Sequence, residues 1–205
     1  IAHSVLDKHV DQVTIDALKN GNTAYAGTLA VYNPDKLETT PFEREHPSFK
    51  SRQARFQVGL DNMKALYEGG VLIALGTDAG MPRTPHGYST LSEMELMVRA
   101  GLPQTAALMA GTSNSARAVG VYDQRGSIEV GKDADVVLIA GKPWENISDL
   151  HKTKYTFVGG EKVYGEGAPA PIEATVMASS DITDTLIADF DREDGRSSRD
   201  TLVVG

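Results

Sequence analysis

Five consecutive apolar residues, Val71-Leu72-Ile73-Ala74-Leu75, run directly into Gly76-Thr77-Asp78-Ala79-Gly80. Such a run fits a strand covered on both faces, as in a parallel sheet, and it carries one carboxylate to a glycine-flanked turn. Catalytic groups of barrel enzymes sit at such strand ends, while an Asp in this place is as often a turn former or helix cap. Upstream, Ile1 to Ser4 reads as the end of a strand. Val10 to Lys19 reads as a helix with Val10, Val13 or Thr14, and Ala17 or Leu18 on one face, closed by Asn20-Gly21-Asn22. Thr23 to Val31 reads as the next strand. A polar stretch with Pro34, Pro41 and Pro47 is long enough to be a loop over a site, and Phe56, Leu60, Met63 and Leu66 or Tyr67 then recur at helical spacing. This β-α-β-α-β order favours a parallel sheet with right-handed crossovers.

Beyond Asp78 the pattern changes. Met81 to Gly87, with Pro82, Pro85 and His86, reads as a loop. Thr90-Leu91-Ser92-Glu93 has the form of a capping box that starts a helix reaching Ala100. Pro103 suits the first turn of another helix running to Met109, and Ser113-Asn114-Ser115 can cap a short one ending at Val119. Asp135 to Ile139 is a β-branched run. Thr156 to Val158 and Glu161 to Tyr164, joined by Gly159-Gly160, predict a hairpin. Gly165 to Ser180 is rich in Gly, Pro, Ala and Ser and reads as a linker, and the rest is acidic with one apolar cluster, Leu186 to Phe190.

Composition narrows the function classes. The 205 residues carry a formal net charge of -8 and no basic cluster, which argues against nucleic-acid and anionic-membrane partners. No apolar run approaches the ~20 residues that span a bilayer. The chain opens inside an apparent strand without an initiating Met, so a targeting signal and the compartment are left open. With no Cys there is neither a disulfide framework nor a thiolate metal site.

Two ionisable residues occupy equivalent places: His3 follows the first strand and Asp78 the third, which puts both on one rim of a parallel sheet. Imidazole and carboxylate are the usual ligands of zinc and similar divalent metals, and side chains from different strand ends can converge on one ion. A lone His near a terminus is more often a satisfied polar group. His86 can hang over the site or merely order the following helix. Tyr25 and Tyr32 can line a pocket or pack in the core; Arg83 can grip a carboxylate or stay solvated. Asn114 and Thr112 read as helix capping, Glu93 as the capping-box residue and Glu95 as solvent-facing. His9, His46 and His151 have no partner spacing that suggests ligation.

The chain resembles the C-terminal half of a metal-dependent amidohydrolase of the imidazolonepropionase and prolidase-like branch. The matching stretches are Ile1 to Ser4 with Val10-Asp11, Thr28 to Tyr32, Gly76 to Gly80, His86-Gly87 with Glu93, Gly101 to Leu108 leading to Thr112 to Ala116, and Gly126 to Leu138. They cover about residues 1 to 165 in the family's order. The resemblance implies an α/β fold: the C-terminal part of a TIM-type (β/α)8 barrel, strands six to eight, followed by strands of a small β-sandwich. With the composition of the C-terminal stretch, this divides the chain into a barrel part (1–122), sandwich strands (123–165), a linker (166–180) and an acidic tail (181–205), the last a candidate start of a further β domain. It implies His3 and Asp78 as metal ligands, Asp78 also as the catalytic proton carrier, and His86, Tyr25 and Arg83 as substrate-binding residues. The cofactor would be one or two divalent ions such as zinc, and the substrate a small amide or dipeptide-like molecule; homo-oligomerisation is left open.

The family's His-x-His pair, its bridging Lys or Glu and a further His have no counterpart in this chain, and no His-x-His occurs in it. The expectation is therefore a fragment of a longer enzyme, inactive alone. The alternative is a non-catalytic truncated or binding module: Leu186 to Asp191 with Asp194 to Ser197 resembles the start of the jelly-roll domain called complex I intermediate-associated protein 30.

Overall fold

Three extended segments lie side by side and parallel in the computed structural model, which describes residues 1–36 and 41–169. Ala2 bridges Ala26, and Tyr25 bridges Ile73. The Tyr25 N–H donates to Leu72 O and the Ala74 N–H to Tyr25 O, each at 2.9 Å; on the other edge the His3 N–H donates to Ala26 O at 3.0 Å. The middle segment therefore bonds on both sides, and spatial order follows sequence order. Helices α1 (Gln12–Asn20) and α4 (Pro47–Glu68) make the two connections.

The second strand is shorter than Thr23 to Val31. Thr28 turns the chain in the left-handed region (φ 49°), and Leu29–Tyr32 form the short helix α2. The N–H groups of Leu29 and Ala30 point at the Glu93 carboxylate instead of a neighbouring strand, so the ladder ends before them. The described parts of the proline-rich stretch are helical, not a plain loop. They contain a 3-10 turn at Pro34–Lys36 and helix α3 at Pro41–Glu45, and α4 starts at Pro47 with His46 Nδ1 accepting the Ser48 N–H.

Helix α4 packs as its periodicity predicts, burying Phe56, Leu60, Met63 and Leu66 against Tyr25, Leu29 and Ile73. In α1 the buried residue is Ile15, while Val13 is 77% exposed. Asp11 caps that helix by accepting the Thr14 N–H, which fixes its start and rotates Ile15 and Leu18 toward the core. Helix α5 (Tyr88–Arg99) begins after Gly87, ahead of the expected capping box, and contributes Met94, Leu96 and Met97 to the core.

Helices α6 (Gln104–Met109) and α7 (Ser115–Ala118) are joined without a break by a π-helical turn, Ala110–Asn114. Ser113 to Ser115 do not cap a helix. Asn114 Nδ2 donates to Ile73 O at 3.0 Å, and Ser115 Oγ accepts the Leu75 N–H while donating to Ala110 O, so these side chains pin the outer edge of the third strand. Thr112 donates back to Leu108 O within its own helix.

Residues 1–168 form one compact unit. Its last part is an antiparallel sheet in the order β1 (Val136–Ile139), β2 (Thr153–Val158), β3 (Glu161–Tyr164), with a 3-10 turn at Ile147–Lys152 before β2. Gly159 and Gly160 both take positive φ, 57° and 86°, as the two-residue hairpin demands. Val137, Leu138, Val158, Val163 and Tyr164 of this sheet remain exposed. The acidic tail and all but the first few residues of the expected linker lie outside the described residues.

One buried polar residue holds the loop after the first strand. Asn62, 1% exposed on α4, donates to Val5 O and Lys8 O at 2.9 Å each and accepts the Val10 N–H at 2.8 Å. Replacing it by Ala removes all three bonds and leaves a void, and the expected cost is about 2–4 kcal/mol. Denaturant unfolding should show this loss, with amide exchange fastest in residues 4–10; an unchanged midpoint would contradict it.

Candidate active site

The segments end alike. His3, Thr28 and Asp78 each come at the end of one of the three parallel segments, and each holds a left-handed backbone, with φ of 72°, 49° and 56°. For residues with a Cβ this conformation costs on the order of 1–2 kcal/mol, and it clusters where function fixes the chain. The turn after the third strand is tied by backbone bonds from Met81 N to Asp78 O and from Gly80 N to Thr84 O, with the Ala79 N–H bonded to Thr77 Oγ1. It leaves Asp78 half-buried, with no side-chain partner among the described residues. A carboxylate presented in this way has all its acceptor positions free.

His3 is held on two sides. Its Nδ1 lies 3.0 Å from Thr28 Oγ1, and the Tyr32 ring meets its ring edge-on with centroids 6.3 Å apart. With Nδ1 engaged, Nε2 is the atom left for an outside partner. Thr28, in turn, is 4% exposed and fixed through the two residues next in the chain. Glu93 reaches from α5 and takes the N–H groups of Leu29 (2.8 Å, Oε1) and Ala30 (2.6 Å, Oε2), one on each oxygen. Burial raises the Glu93 carboxyl to about 7, against the two backbone bonds that favour its charged form. Its expected role as a capping-box residue of its own helix is thus corrected: it caps α2.

The other expected residues are distributed around this rim. His86 is exposed, and its Nε2 lies within van der Waals reach of a side chain placed at Gly80, close to the Asp78 turn. Arg83 is exposed in the same loop with a left-handed backbone (φ 60°). Tyr25 is 2% exposed and donates its hydroxyl to Ser4 Oγ at 3.1 Å, so it packs beneath the strand ends, and burial raises its phenol. Tyr32 is the tyrosine that meets His3. Away from the rim, His9 pairs with Asp61 and His151 with Glu95, each at 3.2 Å. Glu95 also accepts from Ser148, so it ties the Ile147–Lys152 turn to α5 instead of facing solvent freely.

The donor chemistry of His3 and Asp78 suits a divalent metal such as zinc. Their number does not close a shell: among the described residues no group of three or more His, Cys, Asp or Glu side chains could hold an ion. A groove of about 460 Å³ beside the third strand, lined by Lys19, Tyr67, Leu72, Thr105 and Met109, involves neither these residues nor Thr28 or His86.

Comparison with known proteins supplies the family. Residues 4–163 match the sequence pattern of the group described as Amidohydrolase family. The chain belongs to the amidohydrolase family. Within it, the chain is 37% identical over 91 residues to a probable imidazolonepropionase of Nematostella vectensis, covering 41% of this chain and 19% of that protein. It is 32% identical over 168 residues to ochratoxinase of Aspergillus niger, covering 78% of this chain and 33% of the relative. Among solved structures, a Xaa-Pro dipeptidase with bound methionine in its active site superposes with a TM-score of 0.66 at 27% identity, over 80% of this chain and 39% of that one. The chain thus spans well under half the length of each of these relatives. Within that family the chain falls in the imidazolonepropionase and prolidase-like branch, and its α/β architecture matches that of the dipeptidase structure.

Sequence reasoning passes over Thr28, Glu93 and Asn62 as functional residues. A signal exists for two of them. Glu93 shares a helical face with Ser89, Met97 and Ala100, and Asn62 shares one with Gly59, Met63 and Leu66, all buried. A polar residue inside an apolar stripe needs a buried partner.

Proposed function

We propose that this chain is part of a longer metal-dependent hydrolase of amide-type C–N bonds, to which it contributes His3 and Asp78. The observation that carries this reading is the shared rim: His3 and Asp78 leave parallel strands through left-handed turns, one with Nε2 free and the other with an unpartnered carboxylate. The three segments then stand as barrel strands six to eight, and β1 to β3 belong to a small sandwich whose exposed apolar residues other parts of the enzyme cover. Coverage of only 19–39% of the relatives supports the longer polypeptide.

When bound, a divalent ion supplies Lewis acidity, polarising the scissile carbonyl and acidifying the attacking water. His3 would hold it through Nε2, its ring fixed by Thr28 and Tyr32. Asp78 would be a ligand and the proton carrier, taking a proton from the attacking water and passing it to the leaving amine. His86, beside Gly80, and the exposed Arg83 contact the carbonyl or a carboxylate of the substrate, and Tyr25 supports the rim from below. The substrate is a small amide or dipeptide-like molecule. The alternative of a non-catalytic binding module draws on the tail, which lies outside the described residues.

The test compares two polypeptides on N-acyl amino acids and dipeptides. The complete enzyme should hydrolyse a member of this class, lose activity to a chelator and regain it with zinc, while the purified 205-residue chain stays inactive. Chelator-resistant turnover by the complete enzyme would contradict the metal, and turnover by the isolated chain would contradict its incompleteness.

A further inference from the structure

We propose that Glu93 is a positioning residue for His3, acting through the turn Thr28 to Ala30. The inference rests on the reading that His3 serves the reaction, and it extends the machinery to a residue on a different helix. Glu93 is wholly buried among Met94, Met97 and the other apolar residues of α5, an environment that disfavours a carboxylate unless its position fills a need. Both oxygens are used by consecutive N–H groups, those of Leu29 and Ala30. The residue immediately before them is Thr28, held left-handed and nearly buried, and its Oγ1 is the partner of His3 Nδ1. Two residues beyond Ala30 in the same short helix, Tyr32 sets its ring against His3. One carboxylate therefore fixes the origin of a four-residue helix whose two flanks both touch the imidazole.

A helix this short does not hold its own direction, because nucleation is unfavourable and few of its bonds are internal. Without an acceptor for its first N–H groups, α2 is free to unwind, and Thr28 Oγ1 moves with it. Partners of this kind around a metal-binding His orient the ring and fix which nitrogen carries the proton, and losing one typically lowers metal affinity about 10–100-fold. A purely structural Glu93 would stabilise α2 without any specific effect on the His3 ring.

The side-chain ¹⁵N signals of His3 in the complete, metal-free protein separate these cases, read at a pH well above the ordinary imidazole range. Wild type should show one tautomer, with the proton on Nδ1. Thr28→Val should move the signals toward a mixture of tautomers, Thr28→Ser should restore them, and Glu93→Gln should move them in the same direction as Thr28→Val. The Glu93→Gln change should vanish when Thr28 is already Val. Folded Glu93→Gln protein with wild-type His3 signals, or full additivity of the two substitutions, would overturn the proposal. Glu93→Asp, which keeps the charge, serves as the second variant if Glu93→Gln unfolds. A zinc titration then probes the underlying reading separately: if zinc leaves His3 Nε2 unperturbed while the tautomer effects stand, the metal role fails and the positioning role survives.

Discussion

Replacing Asp78 by Asn in the complete enzyme is expected to lower kcat by at least about 10²–10⁴-fold, the range that positioned proton transfer contributes. The substitution keeps size and shape but removes the basicity needed to accept a proton and weakens the oxygen as a metal ligand. The fold should survive it. Asn and Asp are among the residues that best tolerate the left-handed backbone found at this position, and the Asp78 side chain makes no bond to the described protein that Asn would break. Circular dichroism and the unfolding midpoint should match wild type while turnover disappears. Full activity in the Asn variant would remove Asp78 from the mechanism.

The second large effect is a pH dependence of stability with an unusual sign for a carboxylate. The Glu93 carboxyl is raised by burial from 4.5 to about 7, so between these values the folded protein holds a proton that the unfolded chain has released. Unfolding free energy from this group is therefore fully present below pH ~4.5 and is lost as pH rises through ~7. At about 1.36 kcal/mol per unit, the loss is on the order of 3 kcal/mol. Asp11, Glu45, Asp61, Glu129 and Asp149 are all shifted the other way by their hydrogen-bond partners, so their contributions are lost only as pH falls below the ordinary carboxylate range. The two windows do not overlap. Urea unfolding of the complete protein between about pH 4.5 and 8 should show declining stability, and Glu93→Gln should flatten that decline even though it lowers stability overall. A slope unchanged by the substitution would assign the pH dependence elsewhere.

The parts of this fold that sequence makes legible are those set by local periodicity. The α4 stripe of Phe56, Leu60, Met63 and Leu66 is buried as its spacing predicts, the Gly159-Gly160 hairpin forms, and the segment ending at Leu75 pairs in parallel with that of Tyr25. His3 and Asp78 can be placed on one rim from sequence because strand direction alone determines it. Local pattern does not carry the partner of a side chain far along the chain. Glu93 fits a capping box by its spacing from Thr90, yet its oxygens serve N–H groups more than sixty residues earlier. For the same reason Asn114 has the spacing of a helix cap and in fact bonds the edge of the third strand. Thr28 reads as part of a strand because Leu29, Ala30 and Val31 continue the apolar run. In the structure the Leu29 and Ala30 N–H groups bond to Glu93, and Leu29–Tyr32 form a helix.

Whether His3 and Asp78 bind the same metal in the complete enzyme is measured directly by anomalous X-ray scattering at the zinc edge. A peak is expected about 2.0–2.2 Å from both His3 Nε2 and an Asp78 carboxylate oxygen. A zinc peak held wholly by other residues, with His3 and Asp78 both unligated, would contradict the shared metal site.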